Sequence, residues 1–208
     1  MSEANLTRWV TAQRFVDAFA RRGHDQPCAE HEITAAVCVV LGGPDAAPEL
    51  CFIKRSERPD DPWSGQMAFP GGRIARTDAD PRAAGVRETA EEVGLDLTRC
   101  RYLGALPPMP ITRRGRPHLG CLQPFVYLCA PARPALRPQP SEVAAAMWIP
   151  VEHLTDASHR TSVEIADGER RLVFPGIAYV GEVIWGLTYR VLGALFELAG
   201  QESGQPRR

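Results

Sequence analysis

Apolar positions along the chain change their period several times, and each change marks an element. Leu6, Trp9, Val10, Val16 and Phe19 fall near one side of a helical wheel, which predicts an amphipathic N-terminal helix over residues 6–21 that ends at Gly23. The apolar, β-branched runs at 33–41 and 50–54 predict two strands, with Gly42-Gly43-Pro44-Asp45 turning the chain between them. Residues 57–63 carry two prolines and three acids and read as a loop, after which a short apolar piece, Met67-Ala68-Phe69, runs into Pro70-Gly71-Gly72. At Asp80-Pro81 an N-cap acid precedes a proline at the first helical position, and Gly94 stands where a helix stop belongs, so a helix is predicted over 81–93. Further strands are expected at 102–106, 121–129 and 144–149, with another candidate at 172–174. Val183, Ile184, Leu187, Val191, Leu192, Leu195 and Phe196 predict a helix over 181–198 that packs on a sheet.

This order of strands and helices predicts an α+β fold, a layered α/β/α sandwich with a mixed sheet between helices. No repeat or linker divides the chain, and 208 residues suit one domain with a real core. The expected organisation is an N-terminal helical extension over 1–32 packed on the domain, a domain over 33–200, and a disordered polar tail over 201–208.

Composition narrows the function classes. With 44% hydrophobic and 24% charged residues, a net charge of -1 and a pI near 6.5, the chain lacks the positive field that would hold a long duplex by its phosphates, and no nucleic-acid partner is expected. The longest apolar run, 33–41, is far shorter than the roughly 20 residues of a membrane-spanning helix, and the N-terminus does not read as a secretory signal, so the expectation is a cytoplasmic protein without a membrane partner. Six cysteines without a Cys-x-x-Cys pair read as buried free thiols, and five histidines isolated from one another read as surface or satisfied residues. The apolar N-terminal helix and the C-terminal segment leave a homodimer open.

Chemistry first shows in Arg87-Glu88-Thr89-Ala90-Glu91-Glu92-Val93-Gly94. At about 100° per residue, Glu88, Glu91 and Glu92 share one face of the helix, while Ala83, Val86, Ala90 and Val93 gather on the other, which is read as the core face. Like charges at this spacing repel, and a hard divalent cation with oxygen ligands would offset that cost. A solvated glutamate face supported by an Arg87–Glu91 pair explains the same residues without a metal. Just ahead, Pro70-Gly71-Gly72 places glycines where backbone can approach a ligand closely.

Loop and helix together resemble the Nudix box, a glycine, a spaced acid, then Arg-Glu, two residues, Glu-Glu, one residue and Gly: here Gly72, Asp78 and Arg87 to Leu95. The acid is Asp rather than Glu with one extra residue before Arg87, Thr89 fills a usually apolar place, and either Asp78 or Asp80 is available to pair with Arg87. Arg55-Ser56, Gly65-Gln66, Phe69-Pro70-Gly71-Gly72, Glu142-Val143 and Ile184-Trp185-Gly186-Leu187-Thr188 resemble the coenzyme A diphosphatase branch. In that branch a basic residue and a histidine usually stand where this chain has Pro59-Asp60-Asp61-Pro62-Trp63-Ser64.

The resemblance implies a Nudix-type fold and metal-dependent hydrolysis of the diphosphate in a small-molecule nucleotide, with coenzyme A or its thioesters giving 4′-phosphopantetheine and adenosine 3′,5′-bisphosphate. ADP-ribose, dinucleoside polyphosphates, another nucleotide and a non-catalytic binding module are the competing readings. It implies Mg²⁺ or Mn²⁺ on Glu88, Glu91, Glu92 and the Gly72 carbonyl. Arg87 would orient the glutamates, and Glu91 and Glu142 are both candidates for the general base. Arg55, Ser56, Trp63, Gly71, Arg73 and Arg113 are the candidate substrate contacts.

Overall fold

The computed structural model describes residues 11–22, 32–59, 63–112, 120–167 and 170–200. The elements run α1 (Ala12–Arg22), β1 (Ile33–Gly42), β2 (Glu49–Arg55), β3 (Met67–Ala68), β4 (Gly71–Arg73), α2 (Pro81–Val93), β5 (Arg101–Ala105), β6 (Met109–Pro110), β7 (Cys121–Leu128), β8 (Val143–Pro150), α3 (Val151–Thr155), β9 (Arg160–Asp167), β10 (Arg170–Tyr179), β11 (Glu182–Trp185) and α4 (Gly186–Gly200).

β1 organises the layers. It runs parallel to β7 on one side, and on the other it pairs antiparallel with β4 at its start and with β2 at its end. β2 in turn pairs with β3 and β8, and β7 with β5 and β6, which completes a mixed eight-stranded sheet. Side chains alternate across a strand. Val37, Val39 and Leu41 therefore join a core with Phe15 and Phe19 of α1 and Val191 and Leu195 of α4, while Ala36, Cys38 and Val40 join a second core with Ala84 and Val93 of α2. The sheet lies between helices, as the apolar pattern predicts, and β9, β10 and β11 form a separate three-stranded sheet.

Several expectations are corrected. The segment predicted as one helix over 181–198 begins as β11, because β-branched Val183 and Ile184 pair with β10 and Gly186, at φ 63°, breaks the strand before α4 starts. β9 was not expected at all: exposed Thr161, Ser162 and Glu164 around half-buried Val163 and Ile165 suit an edge strand that buries little. α1 begins at Ala12, and residues 1–10 lie outside the described ones.

Two of the thiols are not free. Cys100 precedes β5 and Cys129 follows β7, and since Arg101 pairs with Leu128 in these antiparallel strands the two cysteines face each other with Cα atoms 4.5 Å apart and form a disulfide. Cys38 and Cys51 are buried free thiols as expected, Cys121 is buried and in no disulfide, and Cys28 lies outside the described residues. His153 and His159 are not isolated either: their rings stack at 3.6 Å, and His153 Nε2 bonds the Ala178 carbonyl.

Candidate metal centre

The helix that carries the glutamates forms where its caps predict. Asp80 Oδ1 accepts from Ala83 N at 2.7 Å, Pro81 opens the helix, and Gly94 closes it at φ 69° with its N–H on the Ala90 carbonyl. Its buried face differs from the expected one. Ala84, Gly85, Thr89, Glu92 and Val93 are buried, whereas Ala90 is exposed and Ala83 and Val86 are half-buried. The helix approaches β1 so closely that a Cβ on Gly85 would stand 3.1 Å from Cys38 Sγ, so small residues take this face. Thr89 fits a place that is usually apolar because its hydroxyl donates to the Gly85 carbonyl at 2.7 Å.

Rotation of the buried face carries Glu92 inward. Only 3% exposed, it accepts the Gly71 amide proton at 2.8 Å on Oε2. Burial pushes its carboxyl up to about 7, against the Gly71 bond and the Arg55 charge, which pull it down, while Glu88 and Glu142 add to the rise. Gly71 must be glycine here: at φ 143° a Cβ would lie 2.3 Å from the Ala36 carbonyl oxygen. At Gly72 a Cβ would stand 2.6 Å from Glu88 Cδ, so the carboxylate occupies the space that a side chain would fill.

Arg87 settles which acid fixes the loop. Its Nε and Nη2 donate to the two oxygens of Asp78 at 2.9 and 3.0 Å, and its Nη1 donates to Glu88 and to Glu91, each at 2.9 Å. Asp80 is engaged as the helix cap instead. The Arg87 guanidinium, with the Ala75 amide, holds the Asp78 carboxyl down at about 2. Arg87 thus bonds Asp78, Glu88 and Glu91 together, and Glu91 is exposed and engaged with Arg87.

The third carboxylate comes from 50 residues downstream. Helix α2 ends with unpaired carbonyls, and those of Val93 and Glu92 accept from Arg137 N at 2.8 Å and Gln139 N at 2.9 Å. From there residues 139–143 run along β2: Ser56 N donates to the Glu142 carbonyl at 2.9 Å, Ser56 Oγ to the Pro140 carbonyl at 3.2 Å, and a register shift opposite Lys54 and Arg55 marks the start of β8. Glu88, Glu92 and Glu142 thereby each bring an oxygen within 4.8 Å of one another. Hard oxygen donors at this spacing, against a glycine backbone with room for nothing larger, fit a divalent cation such as Mg²⁺ or Mn²⁺.

Among the other expected residues, Gly71 and Gly72 lie against these carboxylates, Arg55 ends β2 with its charge acting on Glu92, and Ser56 holds the loop of Glu142. Arg73 is exposed at the end of β4, Trp63 packs against the core on the α1 and α4 side, and Arg113 falls outside the described residues. The sequence offered no pointer to Arg58, whose Nη2 donates to the Ser141 carbonyl and lies 3.6 Å from Glu142 Oε1.

Residues 31–167 match the NUDIX domain. An uncharacterised protein of Schizosaccharomyces pombe is 40% identical over 130 residues, 61% of this chain and 39% of that protein, so the chain spans well under half of that relative. The mitochondrial coenzyme A diphosphatase NUDT8 of Homo sapiens is 28% identical over 176 residues, 84% of this chain and 72% of that protein. Among solved structures, a MutT/nudix family protein from Enterococcus faecalis superposes with a TM-score of 0.48 at 15% identity, covering 95% of this chain and 74% of that one.

Proposed function

The chain belongs to the Nudix hydrolase family, and from that premise we propose that it cleaves the diphosphate of coenzyme A or its thioesters with Mg²⁺ or Mn²⁺. The observation that carries the reading is the meeting of Glu88 and Glu92 with Glu142 behind a Gly71-Gly72 backbone. Similarity to a coenzyme A diphosphatase over 84% of the chain supports the substrate.

A divalent cation bound there would neutralise charge on the diphosphate and make a water more acidic as the attacking group. The leaving group is a phosphate, so what the chain must supply is position and charge rather than a covalent nucleophile. Glu88, Glu92 and Glu142 would hold the cation, and Arg87, bonded to both Asp78 and Glu88, would keep Glu88 in place for it. Of the two base candidates, Glu142 stands with the other carboxylates and Glu91 stands outside them, bonded to Arg87. Arg55, Ser56 and Arg73 border the carboxylates as substrate contacts, and Gly72 gives the carboxylates room. The helix over 12–22 serves as an extension packed on a hydrolase domain, and the cytoplasm is the proposed compartment.

The test is phosphomonoester release from coenzyme A, acetyl-coenzyme A, ADP-ribose, NADH and diadenosine polyphosphates, with Mg²⁺, Mn²⁺ or EDTA. The coenzyme A compounds are expected to lead in kcat/KM by at least about tenfold, with products identified as the pantetheine phosphate and adenosine 3′,5′-bisphosphate. Faster cleavage of another compound moves the assignment to that compound, and activity that survives EDTA contradicts the metal.

A further inference from the structure

Arg87 and Arg58 both reach carboxylates of the cluster, beside Arg55 whose charge acts on Glu92, and the first two are held very differently. Arg87 makes two parallel bonds to Asp78, whose side chain is 5% exposed, and further bonds to Glu88 and Glu91. Nothing in that arrangement can let go cheaply. Arg58 meets Glu142 at 3.6 Å, longer than a hydrogen bond, and the two side chains are 48% and 46% exposed. An ion pair this open to water contributes little and exchanges readily.

The backbone of Arg58 is nevertheless fixed. Its N–H donates to Ser64 Oγ at 2.6 Å, and its Nη2 reaches the Ser141 carbonyl, in the same stretch where Ser56 bonds the loop of Glu142. The backbone is anchored beside the cluster, and the guanidinium is divided between a hydrogen bond from Nη2 to the Ser141 carbonyl and the longer contact of that same nitrogen with the cluster's most exposed member. We infer that Arg58 is an exchangeable counter-ion: it neutralises Glu142 while the carboxylates are free of metal, and it turns to a phosphate oxygen of the substrate when a divalent cation takes Glu142. The inference rests on the metal-dependent diphosphatase reading and adds a substrate-binding residue to it.

Charge makes the exchange reasonable. A cation at about 2.1 Å from a carboxylate oxygen competes directly with a guanidinium at 3.6 Å. The diphosphate that arrives with the metal brings the negative charge that Arg58 has lost, and the planar fork of a guanidinium suits phosphate oxygens. Arg87 has no such freedom, since leaving its place would strand Asp78.

Arg58→Ala and Arg58→Lys variants of the full chain test this with and without turnover. Mn²⁺ binding to the substrate-free protein, followed by electron paramagnetic resonance, is expected to be unchanged or a few times tighter in Arg58→Ala, because a competing cation is gone. Binding of the non-hydrolysable analogue α,β-methylene-ADP to the Mn²⁺-loaded protein is expected to weaken by about tenfold, with about half the loss, on a logarithmic scale, recovered in Arg58→Lys. In coenzyme A hydrolysis the same loss should fall on KM, with kcat within about threefold of wild type. Mn²⁺ binding several times weaker in Arg58→Ala would mean that Arg58 only holds the Glu142 loop and overturns the exchange. Equal analogue binding by wild type and Arg58→Ala also overturns it. The Mn²⁺ and analogue measurements need no turnover, so a failed coenzyme A assay leaves them valid and tells against the substrate alone.

Discussion

The carboxylate cluster is held from two sides, and the sides are built to different standards. On the helix side Glu88 and Glu92 stand on a capped helix packed against β1 and β4, with Arg87 bonded to three acids and Glu92 almost wholly buried. On the loop side Glu142 is half-exposed, reached through hydrogen bonds from residues 56, 137 and 139, and met at 3.6 Å by the Arg58 guanidinium, which is also bonded to the Ser141 carbonyl. The difference teaches where geometry is set and where it can respond. A metal ligand that must be in place before the cation arrives belongs on the rigid side, whereas a side that meets each incoming substrate gains from weak, replaceable contacts.

Substituting Glu92 should break the rigid side with the largest effect. Glu92→Gln keeps an acceptor for the Gly71 amide but removes the charge, and kcat/KM for the metal-dependent reaction should fall at least about a hundredfold. Fold stability should move the other way. With its carboxyl raised from 4.5 to about 7, Glu92 keeps its proton in the folded chain after the unfolded chain has lost it. Stability of the metal-free wild type therefore falls as pH rises from about 4.5 to 7, by on the order of 3 kcal/mol. Thermal melts in EDTA should show that slope in the wild type, flattened in Glu92→Gln, and added Mg²⁺ should restore the loss at pH 7 and above. A wild type whose melting temperature ignores pH across this window would mean that burial of Glu92 is relieved some other way.

A smaller loss is expected one shell further out. Asp78→Asn unfastens Arg87 from the loop without touching a metal oxygen, and a cost of about 10- to 100-fold in metal affinity is expected from calorimetric titration. Its pH signature has the opposite sign to that of Glu92. Since the Asp78 carboxyl is held down at about 2, its support is fully present above about pH 4 and is lost as pH falls through 2. Acid unfolding between pH 4 and 2 should therefore be steeper in the wild type than in Asp78→Asn.

How much of this could be read from the chain follows the same division. Helix α2 was legible to the residue because its signals are local: Asp80 and Pro81 at one end and Gly94 at the other. The carboxylates Glu88 and Glu92 followed from the helical period. What was misread was which face goes inward, because close contact of Gly85 with Cys38 is a tertiary fact that no helical wheel contains. Glu142 was legible as an acid ahead of a strand and, through the family resemblance, as a candidate general base, but its place beside Glu88 depends on β8 pairing with β2 across some ninety residues, including a register shift. The polar alternation of β9 hid a strand for a similar reason, since its partner β10 supplies the ladder and the strand itself buries little. Local chemistry wrote the rigid side of the site, and pairings distant in sequence wrote the other.

The disulfide between Cys100 and Cys129 can be reconsidered as a question of chain length. Along the backbone, Glu92 and Glu142 are the ends of a loop of about 50 residues, and gathering them costs the entropy of closing it. The cross-link bypasses 29 of those residues, so the shortest covalent path between the two carboxylates runs through only about 21. In a flexible-chain estimate the shortcut lowers the closure cost by about 0.8 kcal/mol. Since the three carboxylates already stand together without a cation, that cost falls on folding. Cys100→Ser should lower the melting temperature and change Mn²⁺ binding by less than about fourfold, the smallest effect expected here on the site, and a much larger loss of Mn²⁺ affinity would mean that the bond holds the loop's shape and not merely its ends. Although the sulfurs touch no carboxylate, they shorten the tether on which the exposed third ligand is carried.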